Sequence, residues 1–91
     1  MTSIEYNDLV DSLYRGHDFI FLYKEQHYFL EREETTHNLY KVTENLDFSE
    51  FLQKFDGENL IDRINSFLES KLFTNKSFNE IYSIIEIIDI E

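Results

Sequence analysis

Ninety-one residues with nineteen acids against eight bases, a net charge of −11, leave room for one small core beneath a strongly acidic surface. A hydrophobic share of 42%, including nine Phe and six Tyr, is too rich for a disordered chain. The absence of Cys excludes disulfides, thiolate metal sites and a cysteine nucleophile.

The charge has the wrong sign for phosphate backbones and anionic membranes, so the expected partners include neither nucleic acid directly nor a membrane. The start, MTSIEYNDLV, lacks the basic and apolar regions of a signal peptide. The most apolar run, from Ile81 to Ile90, is broken by Glu86 and Asp89 and is too short for a membrane span. A single compact cytoplasmic domain over residues 1–91 is therefore expected. Ala, Pro, Trp and Cys are missing while Ile, Asn, Phe, Glu and Tyr abound. That bias follows AT-rich codons and points to an AT-rich bacterium or its phage.

Thr2-x-x-Glu5 has the form of a capping box. Tyr6, Leu9, Val10, Leu13 and Tyr14 follow at helical spacing, and Gly16 stands where a left-handed stop is needed. This predicts a helix from about Ser3 to Arg15, with Glu5, Asp8 and Asp11 on its wet side. The period then changes to two. Residues 18–23, Tyr28 to Arg32 and Asn38 to Thr43 read as three strands of an antiparallel meander, rich in β-formers. A reversal at Glu25-Gln26, or a looser one from Lys24 to His27, pairs Tyr23 with Tyr28 either way, and Glu33 to Thr36 make the second turn.

Alternation assigns the faces. Phe19, Phe21, Tyr23, Tyr28, Leu30 and Leu39 share one, with Arg32 and Lys41 at its margins. Ile20, Leu22, Phe29, Tyr40 and Val42 share the other, with Glu31. A one-sided antiparallel sheet would alternate apolar with polar. This one is apolar on both sides, so each side needs a cover.

Asp47-x-x-Glu50 repeats the capping-box form and predicts a short helix with Phe48, Phe51, Leu52 and Phe55 on one stripe, stopped by Asp56-Gly57. Leu60, Ile61, Ile64, Phe67, Leu68 and Leu72 continue a helical stripe to about Lys71. Ser77-x-x-Glu80 opens a last helix carrying Phe78, Ile81, Tyr82 and Ile85. The tail IEIIDIE fits either an extension of that helix or a fourth strand on the sheet edge, and the strand is preferred for its β-branched Ile. The resulting fold class is α+β: an N-terminal helix, a three-stranded antiparallel meander with that possible fourth C-terminal strand, then two or three helices. The first helix and the Phe-rich helix are expected on one face and the later helices on the other, a three-layer sandwich. Were all helices on one side, the bare aromatic face would be a binding or dimerisation surface.

His17, His27 and His37 are spaced ten apart, but the meander puts His27 at the opposite end from the other two. His17 and His37 would stand on strands about 10 Å apart, so no metal site is expected. Glu31, Glu33 and Glu34 cluster at the second turn, where ionised acids suit contact with a basic partner better than acid/base catalysis. Glu58 and Asp62 are read as an i, i+4 pair on one helix face, and Glu5 and Asp8 as an i, i+3 pair. Such acids lie about 5–6 Å apart, near the spacing of successive phosphates. No phosphate loop and no G-x-S-x-G nucleophile occurs, and no cofactor is expected.

The order helix, three-stranded meander, helices, together with the acidity and AT-rich bias, resembles the small phage-borne anti-CRISPR inhibitors of the Cas nuclease. NDLV ahead of a Gly/His/Asp turn and an aromatic strand is similar to the opening of one such inhibitor. KSFNEIYSIIEI looks like the C-terminal segment of small uncharacterised proteins from AT-rich Gram-positive bacteria. The first resemblance spans the architecture but few residues, and the second about the last fifth of the chain. Neither carries functional residues across position by position. The inhibitor resemblance implies acids near the sheet that occupy a basic DNA-binding cleft.

The expected function is a non-enzymatic acidic interaction protein binding a basic protein surface through Glu31, Glu33, Glu34, Glu58 and Asp62. A nucleic-acid-mimicking inhibitor of a nucleic-acid-binding protein, such as a CRISPR nuclease, is one form of it. The alternative is a homodimer joined through the Phe19/Phe21/Tyr23 face. A small hydrolase using the His and Glu groups near the second turn ranks third.

Overall fold

The computed structural model describes residues 5–91. Helix α1 spans Tyr6–Tyr14 and is followed by strands β1 (Phe19–Tyr23), β2 (Gln26–Arg32), β3 (Thr36–Val42) and β4 (Phe48–Asp56). Helix α2 (Leu60–Glu69), a short helix α3 (Phe78–Ile81), a 3₁₀ turn at Tyr82–Ile84 and strand β5 (Glu86–Ile90) complete the chain. The five strands form one antiparallel sheet in the order β4-β3-β2-β1-β5. Among the described residues no helix is long and apolar enough to cross a membrane.

Helix α1 buries Leu9, Val10 and Leu13 and ends at Gly16, whose φ of +90° is the left-handed stop that its position implied. Thr2 lies outside the described residues, and Glu5 occupies the N-cap without a side-chain cap bond. The first hairpin turns on Lys24 and Glu25, both at positive φ as in a type I′ turn. Tyr23 therefore pairs with Gln26, not with Tyr28, which pairs with Phe21. Gln26 and Tyr28 have the same parity, so this two-residue correction leaves every strand residue on its expected face.

The larger correction concerns residues 48–56, which form an edge strand and not a helix. Against β3, Leu39 pairs with Gln53 but Tyr40 with Phe51, and Lys41 pairs with Glu50 but Val42 with Phe48. Leu52 and Ser49 are thus the extra residues of two β-bulges. Each bulge shifts the alternation by one, so Phe48 and Phe51 lie on one face while Leu52 and Phe55 turn toward the other. That is why a strand displays apolar residues at i, i+3, i+4 and i+7. Asp47 closes the β3–β4 loop, its carbonyl accepting from the Thr43 amide and its amide donating to Thr43 Oγ1, and its side chain caps no helix. With β4 and β5 added, the meander of three becomes a sheet of five, and the tail is a strand, as preferred.

All the helices lie on one side of the sheet. Phe21 packs its ring against Phe67, Phe73 and Phe78 from the segments after Gly57, as well as against Phe19 and Tyr28. The same core includes Leu9, Val10 and Leu13 of α1. Tyr14 of α1 donates a hydrogen bond to Asn65 of α2 (2.6 Å), and Tyr6 donates one to Asn79 of α3. Asn59 caps α2 by accepting from the amide of Asp62 (2.9 Å), and Ser77 and Glu80 form the complete capping box that their spacing predicted. The architecture is therefore two layers and not a three-layer sandwich. The helices after Gly57 join α1 on the Phe19/Phe21/Tyr23 side, so those three side chains are buried and cannot form a dimer face without displacing the helical layer.

Candidate binding face

The opposite side of the sheet has no helical cover among the described residues. Val42 and Phe48 are a cross-strand pair, as are Tyr40 and Phe51, so the strand register sets these side chains next to one another. The Phe48 ring lies 5.9 Å from that of Phe29 and 4.7 Å from that of Tyr40, and Phe51 lies 5.5 Å from Tyr40. Phe48 is 61% exposed and Phe51 54%. Transfer from water favours burial of rings by about 1.5–3 kcal/mol each, and here that free energy is left largely unspent.

Beside the rings, Leu46 of the β3–β4 loop stands at φ +66° and lines a depression of about 190 Å³ with Ile20, Phe29, Val42 and Glu91. Val42 also borders a larger open cavity of about 450 Å³ at the hairpin end of the sheet, with Leu22, Glu25, Gln26, His27, Thr43, Glu44 and Ser49. The ion pairs among the described residues are Arg15–Asp11 and Lys41–Glu50, and neither involves Glu25, Glu44 or Glu91.

At the other end, the acids expected from the sequence gather as a group. Glu31 projects from β2 on the open face opposite Asn38, and Glu33 and Glu34 follow in the exposed β2–β3 turn. Burial, then a hydrogen bond and charge repulsion from Glu33, then the charge of Asp18, raise the Glu31 carboxyl above its ordinary pKa. Tyr40 is also raised, by burial first and then by Glu31 and Glu33. Glu91 is raised by contact with Asp89 and by Asp18. The raised Glu31 and Glu91 carboxyls mark a concentration of negative charge along one margin of the aromatic patch. Asp18, Asp89 and Glu91 escaped sequence reasoning, because only the pairing of β5 with β1 and the reciprocal backbone bonds of Asp18 with Glu91 bring them there.

Glu58 and Asp62 sit differently from their expected placement. Glu58 precedes the Asn59 cap and lies outside the helix, so the two do not form a helical i, i+4 pair. They are exposed near the buried Arg63, whose guanidinium donates to the carbonyls of Gly57, Glu33 and Thr36 at 3.3–3.4 Å. Arg63 thereby ties the N-terminal end of α2 to the turn carrying Glu33 and Glu34. Glu58 and Asp62 thus lie at the same end of the molecule as the Glu33/Glu34 turn, but on the helical side, whereas Glu31 is on the open face.

His37 is fully buried beside this tie, and neither ring nitrogen has a partner among the described residues. Burial, then the positive charges of Arg63 and Arg32, lower its pKa to about 4. His37 is therefore neutral at pH 7 and screened from solvent, a poor position for the general base of a hydrolase. Among the described residues no group of three or more His, Asp and Glu is placed to hold a metal ion. No family model matches the chain, and no curated protein or solved structure shows significant similarity to it.

Proposed function

We propose that this chain is a non-enzymatic interaction protein whose open sheet face binds a basic protein surface. The observation that carries the reading is the combination on one face of exposed aromatic rings, Phe48 and Phe51 foremost, with crowded carboxyl groups, among which Glu31 and Glu91 are raised by their acidic neighbours. Rings supply buried area on contact, and unpaired carboxylates steer and orient a cationic partner. A second copy is a poor occupant, since it would set acid against acid at −11 per chain. Proteins that hold nucleic acid present basic surfaces of this kind. Inhibition of such a protein by imitation of its phosphates, a CRISPR nuclease being one candidate, is the more specific form of the proposal.

Affinity capture from lysate of an AT-rich Gram-positive bacterium tests it, with the wild-type chain and a Phe48→Ser/Phe51→Ser variant side by side. The expected result is a basic protein retained at about 50 mM salt, released near 0.5 M as screening shortens the Debye length, and lost with the double variant. Capture indifferent to both salt and the two substitutions would refute the reading.

A further inference from the structure

The open face carries a pattern more specific than acidity. Its depression is lined by the apolar side chains of Ile20, Phe29, Val42 and Leu46 together with Glu91. Through the shared Val42 it adjoins the cavity bordered by Glu25 and Glu44. An apolar seat thus lies between carboxyl groups on two sides, and none of these three acids has a cation of this chain within ion-pair distance among the described residues.

We infer that the seat receives an apolar side chain from a partner segment in which that residue is flanked on both sides by Arg or Lys. One flanking cation would enter the Glu25/Glu44 cavity and the other would lie against Glu91. Charge complementarity selects this occupant. A second copy of the chain would have to bring cations from a sequence with only eight Lys and Arg, of which Arg63 is buried and Arg15 and Lys41 are already paired. An apolar segment without flanking cations would leave the three carboxylates partly desolvated with no counter-charge.

The inference rests on the reading of the open face as the binding surface, and the test separates the two. Three synthetic peptides are titrated into the ¹⁵N-labelled full chain at low salt: acetyl-Lys-Arg-Leu-Arg-Lys-amide, the same peptide with Ser for Leu, and acetyl-Glu-Asp-Leu-Asp-Glu-amide. The Leu peptide should shift the amides of Phe29, Val42 and Leu46. The Ser peptide should bind about ten-fold more weakly for want of the apolar anchor, and the acidic peptide should not bind. Glu25→Gln/Glu44→Gln should weaken the Leu peptide by about ten-fold, whereas Glu69→Gln on the exposed side of α2 should leave it unchanged.

Equal binding of the Leu and Ser peptides, with shifts confined to the Glu31, Asp89 and Glu91 margin, would overturn the seat while leaving the broader charge-driven reading intact. Binding of neither basic peptide anywhere on the chain would remove both. A concentration-dependent dimer that protects Leu46 and Phe48 would also overturn it, in favour of a second copy.

Discussion

On the inner side of the sheet, Phe21 touches five other aromatic rings and has no exposed surface. On the outer side, Phe48 touches two and keeps 61% of its surface in water. Both are Phe on β-strands of one sheet, and the apolar content of the two faces differs little. What separates them is the route of the chain after Gly57, which lays α2, the Phe73 segment and α3 on the side α1 already covers. Apolar composition therefore does not decide which side of a sheet is core, because burial requires a second layer. Where that layer is missing, the same kinds of residue stay exposed to water as an apolar patch.

The sharpest way to break this comparison is a paired truncation. Phe21→Ala should cost about 3–5 kcal/mol, through lost transfer free energy plus the cavity left among Phe67, Phe73 and Phe78. Phe48→Ala should cost less than about 1 kcal/mol, the range of exposed positions. Urea denaturation of both variants measures the difference, and equal losses would mean that the outer face is packed in solution.

His37 offers the next largest effect, at the polar end of the inner layer. Its folded pKa of about 4 lies below the ordinary His value, so between about pH 6.5 and pH 4 the unfolded chain binds a proton that the fold excludes. Stability should therefore be unaffected by this group above about pH 6.5 and fall on acidification by roughly 1–3 kcal/mol by pH 4. The charged and titratable groups around it are Arg32 on β2, Asp18 ahead of β1 and Arg63 on α2. His37→Leu should remove that slope while retaining wild-type stability at pH 7, since it deletes two unpaired nitrogens. Subtracting the two pH–stability curves isolates the term from the carboxyl groups that titrate nearby.

Gly16→Ala probes the turn that delivers β1 to the inner face. A Cβ there would come within 2.5 Å of the Arg32 guanidinium, at a backbone angle of +90°. A loss of about 1–2 kcal/mol in thermal or urea unfolding is expected. The smallest effect belongs to the outer face. The raised pKa of Glu31 means that the fold disfavours its charge, so the group contributes stability at low pH that is lost as pH rises through the folded value. Glu31→Gln should gain about 0.3–0.5 kcal/mol at pH 7 and nothing near pH 3. A gain that persists in acid would point to packing and not to charge.

Much of this was readable from local chemistry. The helix stop at Gly16, the Ser77/Glu80 box, the faces of the first three strands and the strand character of Glu86–Ile90 depend on residues near one another in sequence. The fate of residues 48–56 did not. Two inserted residues shift the alternation of Phe48, Phe51, Leu52 and Phe55 into a helical spacing, and Asp47-x-x-Glu50 supplies a false start signal. Propensity cannot resolve that ambiguity, because it is the pairing with β3 that decides. The side taken by the helices was equally hidden, since both faces of the meander offered an apolar bed. For the candidate site, Glu31, Glu33 and Glu34 were visible as a cluster, whereas Asp18, Asp89 and Glu91 join them only through a strand pairing across seventy residues of chain.

Strand β4 also leaves one margin of the sheet without a neighbour among the described residues, nine residues long and carrying two outward-facing Phe. A flat ribbon of that kind would be a template for edge-to-edge pairing of sheets into fibres. The two inserted residues at Ser49 and Leu52 interrupt its ladder twice within four positions, and Glu50, Lys54 and Asp56 add charge along it. The protein can thus keep its rings exposed while denying its own copies the straight, regular border on which an aggregate would grow.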